Sequence, residues 1–177
     1  GYASSCGFSI LQETAAGVNA IEVWPDDGWK DGIFELFLVL WLHAASGFFC
    51  YVFALLVLPL TGYLSPPLLA VHGLLFPLAL ISAMDSTSAW LPYSTMALQS
   101  LKRIPGTWGL FYVLSAVFLC VTCGAFLLLA VNMPLAAGIM LGPFLATVVF
   151  IYARLLGRVA WKIGEDASRE DDELFEL

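Results

Sequence analysis

An all-α membrane protein with four transmembrane helices is predicted by three observations. The 177 residues are 60% hydrophobic and only 12% charged, whereas a soluble domain carries about 25% charged residues. Apolar stretches long enough to cross about 30 Å of hydrocarbon recur along the chain. All seven Lys and Arg and all fourteen Asp and Glu residues fall in three places: before or at the entry of the first span, between the second and third, and after the fourth. Two antiparallel hairpins with a short amphipathic helix between them satisfy this pattern.

The N-terminal segment 1–32 divides in two. Tyr2 to Leu11 is apolar but too short to span a bilayer, and reads as the tail of an upstream span or as an interfacial piece. The chain opens Gly1-Tyr2-Ala3 without Met, so a processed or partial product is expected. Gln12 to Gly32 is polar and turn-rich, with Asn19, Pro25, Asp26, Asp27, Gly28 and Gly32 as breakers. Trp24 and Trp29 flank the acidic turn, where aromatic rings suit headgroup level.

The bundle occupies 33–163. The first span runs from about Ile33 to Leu60, with Glu35 at its entry, and Pro59, Gly62, Pro66 and Pro67 mark a reversal. The second, from about Leu68 to Met84, contains Pro77, which predicts a kink. Tyr93 to Ile104 sets Met96, Leu98, Leu101 and Ile104 beside Gln99, Lys102 and Arg103, the pattern of a helix lying in the interface. Pro105-Gly106 breaks it. The third span covers about Thr107 to Val131, Asn132-Met133-Pro134 is a minimal turn, and the fourth runs from about Leu135 to Tyr152, with helix on to Ile163. Gly164 is expected to end that helix before an acidic tail, 164–177. Lys and Arg favour the cytoplasmic side, so both termini of this chain are expected there.

The net charge of −7 argues against nucleic acid, which demands clustered cations. No phosphate loop, nucleophile-base constellation or paired carboxylates mark the sequence as an enzyme. The placement of His43 and His72 near mid-bilayer at similar depth is the most suggestive feature, because core histidines of helical bundles ligate haem or pigments. The competing expectation is two neutral imidazoles hydrogen-bonded to neighbouring helices, since adjacent helices pack about 8–10 Å apart and a haem between them is tight. Haem b or a pigment is therefore the alternative, and no cofactor the first reading.

Cys120-Val-Thr-Cys123 lies mid-span, away from the helix N-termini that activate thiolates, and without a second pair no zinc site is predicted. Ala116, Cys120 and Gly124 repeat every fourth residue, as do Gly138, Gly142 and Ala146. Both are stripes of small residues that permit close helix approach. Arg154, Arg158 and Lys162 share one helical face beside Trp161, which suits positive-inside anchoring and, more sharply, anionic lipid headgroups.

Three stretches carry a resemblance: Tyr2-Ala3 through Glu13-Thr14-Ala15-Ala16-Gly17, then Trp24-Pro25-Asp26-Asp27, and the closing Tyr152-Ala153-Arg154-Leu155-Leu156-Gly157-Arg158-Val159-Ala160-Trp161. Together they resemble uncharacterised multi-spanning membrane proteins of planctomycete-type bacteria. That resemblance implies a bacterial inner-membrane location and an upstream span ending near Tyr2 to Leu11, and it supplies no activity. The leading expectation is a non-catalytic membrane subunit or scaffold packed against partner membrane proteins, ahead of a transport component and of a haem- or pigment-binding electron-transfer subunit.

Overall fold

The computed structural model describes residues 2–18, 29–61, 65–85 and 93–175; Trp24 and the Pro25-Asp26-Asp27 turn lie outside them. Six helices and no strand are present among the described residues: α1 (Tyr2–Ala15), α2 (Trp29–Thr61), α3 (Ser65–Asp85), α4 (Thr95–Arg103), α5 (Pro105–Asn132) and α6 (Pro134–Phe175). Three of them, α2, α5 and α6, contain stretches long and apolar enough to cross a membrane.

The N-terminal apolar segment is a docked helix, longer than the Tyr2 to Leu11 stretch suggested. At about 1.5 Å per residue the 14 residues of α1 extend about 21 Å, short of a span. Its end is built by Gly17, whose φ of 79° is open to glycine without a Cβ penalty. Val18 N–H donates to the Glu13 carbonyl and Gly17 N–H to that of Thr14, the two bonds of a Schellman motif.

Helix α1 lies against α6, and glycines set how closely. A Cβ on Gly157 would stand 2.6 Å from Thr14 Cβ and 2.9 Å from the Leu11 carbonyl oxygen. A Cβ on Gly7 would stand 3.0 Å from Val149 Cγ1. The helix pair α5 and α6 is joined through Met133 alone, and the stacked rings of Phe126 and Phe144, 4.7 Å apart, bind it near that turn. On α2 one face is sealed: Leu42, Ser46, Cys50 and Ala54, at every fourth position, are all fully buried.

Helix α4 forms where its amphipathic pattern placed it. Ser94 caps it, accepting from Ala97 N–H at 3.1 Å, which satisfies one of the orphan donors of a helix N-terminus. Lys102 and Arg103 stand in the last turn, the favourable end of the helix dipole for cations. Ser100 is buried and accepts the Trp108 indole N–H at 3.0 Å. Pro105 opens α5, where its missing N–H costs nothing. The core draws on all six helices, with Ile10, Leu42, Leu78, Ala97, Trp108, Phe111, Leu156 and Val159 among its members.

One boundary differs from expectation. Helix α6 does not stop at Gly164 but runs to Phe175. Gly164 has no left-handed φ, and a helix-interior glycine costs only about 1 kcal/mol relative to alanine. The Lys162–Glu165 ion pair at 2.7 Å and the Ser168 hydroxyl bonded to the Gly164 carbonyl at 2.9 Å bridge the position.

Candidate functional site: an apolar cleft holding two histidines

Five helices surround a partly open cleft of ≈ 660 Å³. Helix α1 contributes Gly7, Phe8 and Leu11; α2 contributes Val39 and His43; α3 runs past it from His72 to Leu80. The opposite wall is Phe111, Tyr112, Ser115, Ala116 and Leu119 of α5, with Val148, Val149, Tyr152, Ala153 and Leu156 of α6. The walls are overwhelmingly hydrocarbon and aromatic.

The two histidines meet in this cleft. Their ring centroids are 5.4 Å apart with an interplanar angle of 42°, and Phe76 packs on both, 3.9 Å from His43 and 5.6 Å from His72. Each ring is anchored on one nitrogen. His43 Nδ1 lies 3.0 Å from the Val39 carbonyl oxygen, one helical turn back. His72 Nδ1 lies 3.3 Å from Ser46 Oγ, so the hydrogen bond between α2 and α3 runs through a serine that the sequence reading passed over. Ser46 stands three residues after His43, and that spacing put both side chains on one face of α2.

Haem bound between the two histidines does not fit this arrangement. Axial ligation from both sides needs a porphyrin plane between the rings. The space is taken: the imidazoles touch one phenyl ring in common and stand at ordinary ring-contact distance. Among the described residues no group of three or more His, Cys, Asp or Glu side chains gathers as a metal site.

Tyr112 closes the cleft across α3, its hydroxyl donating to the Leu74 carbonyl at 2.9 Å. That bond lies in the turn before Pro77, whose missing N–H frees the carbonyl of the adjacent Gly73 rather than that of Leu74. Tyr112 also stacks on Trp108 at 5.6 Å, which ties the cleft wall to the α4 junction.

The other residues singled out in the sequence are dispersed. Cys120 and Cys123 are exposed free thiols. Gly138 and Gly142 are exposed, Gly124 and Ala146 half-buried, and a Cβ added at Gly124, Gly138 or Gly142 meets nothing within 4 Å. The glycines of both predicted stripes thus make no close helix contact within the chain, and of the stripe residues Ala116 reaches the cleft. The close contacts use Gly7 and Gly157 instead, and Ala153 with Gly157 repeats the same four-residue spacing about two turns further on. Among the basic residues, Lys162 is held by Glu165 and lies 5.9 Å over the Trp161 ring, Arg158 is exposed and Arg154 half-buried. No protein-family model, curated protein or solved structure matches this chain.

Proposed function

We propose that this chain is a non-catalytic subunit of a membrane-protein assembly. The observation that carries the reading is how little of α5 and α6 the chain itself covers: in each, only 6% of the most apolar 18-residue window is buried, and the glycines at 124, 138 and 142 face open space. Lipid tails are as apolar as leucine, so helices associate in a bilayer by close packing, for which small residues are suited. An open glycine stripe on a barely covered helix offers a partner helix that contact.

Purification in a gentle detergent with mass spectrometry of co-purifying proteins tests the reading. Gly138→Leu and Gly142→Leu are expected to leave the melting temperature of the isolated chain unchanged, because the added side chain meets only open space, while partners are lost. If both variants retain every partner of the parent, the stripe faces lipid and the subunit reading fails.

The membrane arrangement proposed with it has α3 as a fourth span. Its 21 residues extend about 31 Å at 1.5 Å per residue, close to the hydrocarbon thickness. The charge distribution supports cytoplasmic placement of α4 and of the end of α6, in the inner membrane of a bacterium as the sequence resemblance implies. Arg154, Arg158 and Lys162 then stand where anionic headgroups lie. In a variant lacking Cys6, Cys50, Cys120 and Cys123, a cysteine at the exposed position of Gln99 is expected to react only after the inner membrane is opened. Reaction from the outer face in intact spheroplasts contradicts this topology.

A further inference from the structure

The hydrogen bonds about the two imidazoles bear on which nitrogens carry protons. A carbonyl oxygen only accepts, so the Nδ1 of His43 facing the Val39 carbonyl is the protonated one, and in the neutral ring Nε2 is a lone-pair acceptor. Ser46 has a single hydroxyl proton and three acceptors in reach, the Leu42 carbonyl at 2.8 Å, the His43 carbonyl at 3.3 Å and His72 Nδ1 at 3.3 Å. With the proton assigned to the shortest of these bonds, the Ser46 oxygen accepts from His72 Nδ1, and the Nε2 of His72 is then a second acceptor. Two acceptors of the same kind, on touching rings, line an apolar cleft and have no donor from the chain. In the opposite wall Ser115, 6% exposed, has a buried hydroxyl with no hydrogen-bond partner.

We propose that the cleft binds an apolar small molecule bearing a hydroxyl group, an alcohol or phenol with a hydrocarbon body. Its O–H donates to an imidazole Nε2 and its body lies along Phe76, Leu80, Phe111 and Val149. The volume of ≈ 660 Å³ falls within the usual range of about 300–1,000 Å³ for small-molecule pockets, as does a largely apolar lining with few polar groups. The acceptors select the headgroup. A lipid acyl chain fills the hydrocarbon space but brings no proton, and a ketone or quinone carbonyl can accept from Ser115 but leaves the imidazole Nε2 unpaired. A hydroxyl supplies what the rings lack, and an unpaired acceptor in a low-dielectric site is costly to leave so.

The test uses the full chain in detergent micelles with a photoreactive, diazirine-bearing long-chain primary alcohol as probe. Cross-linked peptides are expected to come from α3 around Phe76 and from α5 around Ser115. The unmodified alcohol should compete for labelling about tenfold better than its methyl ether, the effect of one net hydrogen bond of about 1.4 kcal/mol. Converting both histidines (His43→Phe with His72→Phe) should erase that difference while apolar labelling persists. Equal competition by ether and alcohol in the parent chain means a groove filled by any hydrocarbon and overturns the proposal, whatever the variants do. It is equally overturned if neither cleft segment is labelled, or if the alcohol keeps its advantage in the folded double variant.

Discussion

Gly157→Leu should lower the melting temperature in mild detergent by roughly 6–12 °C, the equivalent of about 3 kcal/mol for a chain of this size. The physical reason is local and severe. Even the first carbon of a side chain at 157 stands 2.6 Å from Thr14 Cβ and 2.9 Å from a backbone oxygen of α1, and a backbone carbonyl cannot swing aside as a flexible side-chain end does. The helix must separate from α6, taking Gly7 off Val149 and opening the wall of the cleft that α1 supplies. Gly138→Leu is the matched control on the same helix, with no atom within 4 Å of its added Cβ. Equal melting of the two variants would show that α1 does not dock on α6 as described.

Trp108→Ala carries the second large expected effect, about 3–5 kcal/mol. Trp108 is among the largest side chains that are fully buried. It meets Phe111 edge-on at 6.0 Å and stacks on Tyr112 at 5.6 Å, and its indole N–H is the donor to Ser100. Truncation opens a cavity at the joint of α4 and α5 and removes the donor from a buried hydroxyl, two penalties that add. Trp108→Phe restores most of the ring volume without the N–H and should cost about 1–2 kcal/mol. Thermal unfolding of both variants beside the parent measures the split, and an alanine variant within 1 kcal/mol of the parent would contradict the described packing.

The histidines and the small-residue stripes show where reading along the chain stops. Position along two neighbouring apolar stretches was enough to expect His43 and His72 at similar depth, and their rings stand 5.4 Å apart. Nothing in the spacing revealed that Phe76 fills the space a porphyrin plane requires, because that depends on how α2 and α3 are rotated about their axes. The stripes carry the same lesson. Ala116-Cys120-Gly124, Gly138-Gly142-Ala146 and Ala153-Gly157 satisfy one four-residue rule equally well. Which of them receives a neighbour is decided by where α1 docks, and α1 was legible only as an apolar piece too short to span.

Sequence by itself determined the all-helical character, the long apolar stretches of α2, α5 and α6, the amphipathic helix α4 and the proline and glycine punctuation between them. These are properties of residue type and period, and they act within one or two turns of chain. Only the tertiary structure decided that α1 packs into the glycine notch of α6 and that five helices leave a cleft with two touching imidazoles in its wall. The docking of α1 comes from contacts between residues more than a hundred positions apart, such as Thr14 with Gly157, and the cleft from contacts across dozens of positions, such as Ser46 with His72 and Tyr112 with Leu74. Close packing of that kind depends on helix rotation and shape complementarity, and local sequence pattern encodes neither.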